Sequence, residues 1–321
     1  EMRINVHQFS INQIMMSFNK QFFIDQEDHF SMYKTKLTPV LQKKLDEIRT
    51  RRAFNASQWV QQKCETLNEY MRKAGLKGCV ISVSGGIDSS VTTALASHAS
   101  TLPNSPIEQI WLLQQPIHST KHIVDRALHL RHLPNVKMVE IDQTQIFDQL
   151  VALINSQLHI EAKSFANGNL KSYMRTPVNF YVAQLLSQEK CPAIVLGTGN
   201  MDEDGYLFYF SKAGDGISDI QLIHDLHKNE VFEVAAALQL PETVRNAVPS
   251  ADLWDGQTDE DEIGFSYDHV ELLIELLAAG EVETFKGQLG KEDLEEFQKM
   301  QTRLQGIHER NKHKGQISKG I

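Results

Sequence analysis

Cysteine is scarce in this chain: 321 residues hold three, Cys64, Cys79 and Cys191. An odd number without metal-ligand spacing argues against a disulfide framework or a zinc site and fits a reducing compartment, so a cytoplasmic protein is expected. Basic charge is also short. Lys and Arg number 32 against 41 Asp and Glu, a net charge of −9, whereas a protein that tracks a phosphate backbone carries a basic surface. Nucleic acid is not an expected partner. No apolar run approaches the roughly 20 residues that cross a bilayer, and the N-terminus lacks the basic and apolar regions of a signal peptide, so no membrane is expected. The Walker signature G-x-x-x-x-G-K-[ST] is missing as well. What is present in ordinary measure is apolar residues, 41% of the chain, enough for a globular core.

The most informative stretch is Ser84-Gly85-Gly86-Ile87-Asp88-Ser89-Ser90, preceded by the apolar run Gly78–Val83 and followed by a helical pattern. Strand, glycine turn and helix start together make an anion site. Adjacent glycines let the main chain turn so that several N–H groups face one concavity, and the helix N-terminus adds partial positive charge. The hydroxyls of Ser84, Ser89 and Ser90 add donors suited to a pyrophosphate. Asp88 is out of place beside a phosphate unless a cation lies between them, which makes it a candidate magnesium ligand.

Around this loop the periodicity alternates. Helical spacing over Ala56–Lys73 leads into strands at Cys79–Val83, Ile110–Leu113, Val136–Ile141 and Ala193–Gly197. Helical patterns separate the strands, the third over 144–158 and another over 168–187, where Pro177 predicts a kink or break. The pattern predicts an α/β fold, a doubly wound parallel sheet with helices on both faces, with its ligand site at the carboxyl ends of the strands. A long polar region to about Tyr267 is followed by two closing helices, around Val270–Ala279 and through Leu294, Phe297, Leu304 and Ile307. Residues 1–55, with scattered phenylalanines, read as an N-terminal extension to a domain spanning 56–321. Asn55-Ala56-Ser57 reads as a helix cap completed at Gln58 rather than a glycosylation site.

A second cluster follows the fourth predicted strand: Gly197-Thr198-Gly199-Asn200-Met201-Asp202-Glu203-Asp204. Beyond it come Ser211-Lys212-Ala213-Gly214-Asp215-Gly216, Asp219, Asp225-Leu226-His227-Lys228 and Pro249-Ser250-Ala251-Asp252. The first loop resembles the S-G-G-x-D-S loop of the ATP pyrophosphatases. The ordered set, from about Ala56 to about Lys314, resembles the NAD synthetase family, which has an adenine nucleotide alpha hydrolase-like fold. The resemblance implies a ligase that adenylates the nicotinate carboxylate of deamido-NAD with ATP and magnesium, after which ammonia attacks the acyl-adenylate to give NAD and AMP. It implies ATP contacts from the first loop (Ser84, Gly85, Gly86, Ile87, Asp88, Ser89, Ser90) and from Arg175, Thr198, Lys228 and Ser250. Substrate contacts are implied at Phe165, Asn169, Lys212, Asp215, Asp219, His313 and Lys314, and metal ligation at Asp88 and Glu203.

The chain departs from the family pattern in places. One extra residue lies between Thr198 and Lys212, so counting from the first selects Glu203 as the second metal ligand and counting from the other selects Asp204; Glu203 keeps the residue type. In Gly168–Arg175 the family reads G-N-x-x-A-R-x-R, and Tyr173 stands where the first arginine falls. Ser250 replaces a threonine and keeps its hydroxyl. The resemblance further implies a homodimer paired through the helices at 144–158 and 168–187, with Phe165 and Arg175 flanking the pairing region. The stretch before Ala56 is too short for an amidase domain, so any glutaminase would be a separate chain. Alternatives are another ATP pyrophosphatase, GMP synthetase-like or tRNA-thiolating, or an inactive nucleotide-binding protein on the same fold.

Overall fold

The structure, a computed structural model, describes residues 36–246 and 259–316. Ser250 and residues 1–35 of the expected extension lie outside them. The described chain runs α1 (Pro39–Arg52), α2 (Ala56–Lys73), β1 (Gly78–Ser82), α3 (Ile87–Thr101), β2 (Gln109–Gln114), α4 (Lys121–Arg126) with a 3-10 turn Ala127–His132, β3 (Val136–Glu140), α5 (Thr144–Leu158) and α6 (Ser164–Gln188). It continues with β4 (Ala193–Gly197), a π-helical segment Met201–Leu207, β5 (Ile220–Gln221), α7 (Lys228–Ala237), α8 (Glu242–Arg245), α9 (Asp259–Ile263), α10 (Tyr267–Ala278), α11 (Val282–Lys286), α12 (Lys291–Asn311) and a closing 3-10 turn Lys312–Gly315.

The five strands form one parallel sheet in the order β3-β2-β1-β4-β5. The apolar runs of β1, β2 and β4 are mostly buried, which is why they read as continuous hydrophobic segments. On one face α2, α3 and α7 pack around Ile81, Val91, Leu95 and Val231; on the other α6 covers Val80, Leu113 and Val195. The order reverses between β1 and β4, so the crevice of a doubly wound fold opens there.

Several expectations meet a different structure. Pro177 lies inside α6, which continues from Ser164 to Gln188 as one helix, although its ring removes one intrahelical bond. The polar region before Tyr267 contains β5 and α7. Residues 39–52 are a helix built into the fold. Thr38 Oγ1 caps α1 by accepting from the Leu41 N–H, and Pro39 takes the first turn, where its missing donor costs nothing. Leu41, Leu45 and Ile48 are fully buried in a second core with α10 and α12. Arg49 binds the Glu271 carboxylate, and Arg52 donates to both oxygens of Glu230 on α7. Asn55 caps α2, its Oδ1 accepting from the Gln58 N–H at 2.9 Å.

Candidate functional site

Parallel pairing of β1 with β4, Gly78 opposite Ala193, sets the loops after these strands side by side although over a hundred residues separate them in sequence. Gly85 takes φ +83°, a conformation that strains any residue with a Cβ. Ser84 Oγ accepts from the Gly86 N–H at 3.1 Å and shapes the turn. Gly86 begins α3 with no side chain capping it, so the first-turn N–H groups are left for a ligand. Ser84, Gly86, Ile87, Asp88 and Ser89 line a cavity of about 260 Å³ at this edge. Ser90 does not: its hydroxyl donates to the Gly86 carbonyl at 2.8 Å and it is buried below the loop.

The second loop aims charge at the first. Gly199 has no room for a Cβ, which would meet the Asp204 carboxylate at 2.1 Å. Asn200 then organises the segment. Its Oδ1 accepts from the N–H groups of Asp202 and Glu203, each at 3.0 Å, and its Nδ2 donates to Asp88 Oδ1 at 3.0 Å. The Lys228 ammonium sits between the two carboxylates, 2.6 Å from Asp88 Oδ2 and 2.8 Å from Glu203 Oε1, with 3% of its side chain exposed. Burial alone would lower the lysine's pKa; the charges of Asp88 and Glu203 outweigh it, so Lys228 stays an ammonium. Burial raises Asp88, aided by the neighbouring Glu203 charge and only partly offset by Lys228. For Glu203 the Lys228 charge and the donated bonds of Lys228 and Tyr267 prevail over burial and hold its pKa low.

Lys228 is itself held from behind. Asp202, fully buried, accepts from the Lys228 N–H at 2.7 Å and from His227 Nδ1 at 2.6 Å, and His227 Nε2 lies 3.1 Å from Glu275. Burial pushes the imidazole down, but these two carboxylates raise it to about 9, which makes both ring nitrogens donors. Asn200, Asp202 and His227 are structural members of the site that were quoted in the motifs without a role. Tyr267, whose hydroxyl bridges Glu203 and Asp259, carried no sequence signal.

One face of α6 forms the far wall. Ser172 Oγ donates to Asp215 Oδ1 at 2.8 Å, Thr176 Oγ1 donates to the Gly214 carbonyl, and Arg175 Nε donates to the Gln115 carbonyl at 3.2 Å. Asn169 joins the same loop by accepting from Ser211 Oγ at 2.7 Å. Arg126, absent from the expected site, also reaches the cavity, and its buried Nε has no hydrogen-bond partner. The wall is nevertheless acidic. Asp88, Glu203, Asp204, Asp215 and Asp259 face three cations, Arg126, Arg175 and Lys228. Burial is the largest cause that raises Asp204, Asp215 and Asp259, the last to about 7. A polyanion enters such a cavity only with cations of its own or with carboxyls protonated.

The other expected residues lie apart from that wall. Asp219 Oδ2 accepts from the Val195 N–H at 2.7 Å and ties β4 to the segment before β5. Lys212 Nζ donates to the His313 carbonyl, and Lys314 Nζ to the carbonyls of Phe208 and Phe210, so the closing turn docks on 208–212 outside the cavity lining. Phe165 is exposed at the start of α6, and Tyr173 is partly exposed. Thr198 lines the cavity.

No group of three metal-ligating side chains occurs among the described residues. The donor set at the crevice still fits magnesium, since two carboxylates already converge on one cation and this ion takes its remaining positions from phosphates and water. A phosphate loop with serines and a carboxylate in place of the lysine, at the switch point of a parallel sheet, defines a nucleotide-binding α/β protein of the pyrophosphatase kind. The chain belongs to the NAD synthase family, whose sequence pattern matches residues 59–318. It is 35% identical to an NH(3)-dependent NAD(+) synthetase of Mesoplasma florum, over 68% of this chain and 82% of that one. To the enzyme of the same description from Archaeoglobus fulgidus it is 30% identical, over 82% and 96% of the two chains. Among solved structures, an NMN synthetase from Francisella tularensis superposes with a TM-score of 0.68 at 28% identity, covering 84% of this chain and 99% of the other.

Proposed function

We propose that this protein uses ATP to amidate the nicotinate carboxylate of deamido-NAD with ammonia, giving NAD, AMP and pyrophosphate. The observation that carries the reading is the convergence of Asp88 and Glu203 on one cation beside the Ser84–Ser90 loop. A carboxylate resists attack by ammonia, and adenylation converts it to a mixed anhydride with AMP as leaving group. The carboxylate oxygen attacks the α-phosphorus and pyrophosphate departs; ammonia then adds to the acyl carbon, loses a proton, and the acyl C–O bond breaks to release AMP. Holding the polyanions in line and neutralising the departing charge is most of the enzyme's work. Magnesium on Asp88 and Glu203 supplies that neutralisation when bound. The main-chain donors of the first turn of α3 with Ser84, Ser89 and Thr198 hold phosphates, Gly85 and Gly86 shape the loop that presents them, and Arg126 and Arg175 add charge. Ser90 supports the loop from beneath, while Ser250 is kept as an ATP contact by resemblance.

Asn169, Asp215 and Ser172 form the substrate side with Arg175. Asp219 acts through the β4 edge, and Lys212, His313 and Lys314 reach substrate only if the closing turn swings inward. The protein works as a cytoplasmic homodimer: α5 buries Phe147 alone among its residues and leaves Ile146, Leu153 and Leu158 about 60% exposed, exposed apolar side chains of the kind that mark an interface. Ammonia is the nitrogen donor.

A second reading is favoured by the likeness to the NMN synthetase and by Tyr173 in place of an arginine: amidation of the corresponding mononucleotide. Product analysis with ATP, magnesium and ammonium separates the two. Faster amide formation from deamido-NAD than from nicotinate mononucleotide is expected; the reverse preference selects the second reading. Turnover of xanthosine monophosphate alone would overturn both.

A further inference from the structure

Resting on this reading of Asp88 and Glu203, we infer that Lys228 is a displaceable internal cation that keeps the metal site closed until nucleotide phosphates draw its ammonium away. The position of Nζ, 2.6 Å from one carboxylate and 2.8 Å from the other, is not that of a residue waiting in solvent for a ligand. It is the position of a counter-ion. The side chain is 3% exposed, and its main-chain N–H is fixed by Asp202, so the base of the side chain stays put while the flexible stem can carry the ammonium elsewhere. Nζ also lies 5.2 Å from the centre of the Tyr267 ring, whose hydroxyl is bonded to Glu203.

A divalent ion held by both carboxylates needs oxygens at about 2.0–2.1 Å with its other positions filled by water or phosphate. An ammonium already bonded to the same two carboxylates competes for those oxygens and repels the incoming ion. Without nucleotide, therefore, metal binding must first strip the buried Lys228 ammonium of both hydrogen-bonded carboxylates, which is unfavourable. Nucleotide changes that balance. Its phosphates give the ammonium a new anionic partner within reach of the stem, and the two carboxylates are released to the metal that accompanies the phosphates. Metal and ATP then bind with positive coupling, each raising the affinity of the other.

The test measures metal rather than turnover. Mn2+ binding is followed by electron paramagnetic resonance on the full chain without nucleotide, for wild type, Lys228→Met and Lys228→Gln. Either folded variant should bind Mn2+ at least about tenfold more tightly than wild type, because the competing charge is gone; equal affinities would overturn the inference. Should both variants fail to fold, wild-type crystals soaked in Mn2+ alone answer the question through anomalous scattering. No peak is expected between Asp88 and Glu203 without nucleotide, whereas with a non-hydrolysable ATP analogue the peak appears and Lys228 Nζ moves to a phosphate. A peak with Lys228 still bonded to both carboxylates would overturn the inference, as would a nucleotide-bound metal site with the lysine unmoved. These outcomes do not depend on the acid amidated, so absence of NAD formation with the exchange intact would count against the proposed function alone.

Discussion

Replacing Asp202 with asparagine should remove a specific pH dependence from the stability of the fold. His227 is fully buried, and Asp202 and Glu275 raise its pKa from 6.5 to about 9 against the opposing effect of burial. That rise corresponds to about 3 kcal/mol of preference for the imidazolium in the folded state. Because the folded pKa lies above the unfolded one, this stability is fully present below about pH 6.5 and is lost as pH rises through about 9. In Asp202→Asn the shape is kept but the charge facing Nδ1 is gone, so burial is opposed only by Glu275 and Glu271 and the folded histidine's pKa falls. Urea unfolding at several values between pH 6 and pH 9.5 gives both curves. Wild type should lose more than the variant across the window, by up to about 3 kcal/mol, with the two converging at the alkaline end. Groups common to both proteins, Asp259 among them, cancel in the comparison. Parallel curves would refute the assignment of the imidazolium to the Asp202–His227 pair.

Other expectations follow from the packing and the site. Leu45→Ala should cost about 2–5 kcal/mol, since it hollows the second core; a loss well under 1 kcal/mol in thermal unfolding would mean that α1 is a dispensable arm. Asp88→Asn should cut pyrophosphate release by orders of magnitude, as loss of a metal ligand does, and near-normal release would refute its role. Leu153→Glu together with Leu158→Glu, both exposed on α5, should give a monomer by sedimentation with weakened affinity for deamido-NAD; a monomer of undiminished affinity would separate the site from the interface.

Strands and long helices were legible because local pattern and burial agree: β1 and β4 are short apolar runs, and α2 has its cap and helical spacing within one segment. The phosphate loop was legible for the same reason, its glycines and serines being contiguous. What escaped depends on distant partners. α1 buries only Leu41, Leu45 and Ile48 among mostly polar residues, and Arg49 and Arg52 are matched by Glu271 and Glu230, far along the chain. Asp202 has no role legible in its own segment because its partners, His227 and the Lys228 N–H, arrive by tertiary folding. β5 has two residues and no period to read. Arg126 and Tyr267 belong to no motif; the sheet order and the packing of α10 bring them to the crevice.

Adenylation is tested most directly by the fate of the carboxylate oxygen. With deamido-NAD labelled with oxygen-18 in its nicotinate carboxylate, incubated with ATP, magnesium and ammonium, mass spectrometry of the AMP reports the bond made at phosphorus. Adenylation at this site predicts one labelled oxygen in the AMP formed with each NAD. NAD formed with unlabelled AMP, or no NAD at all, would contradict it.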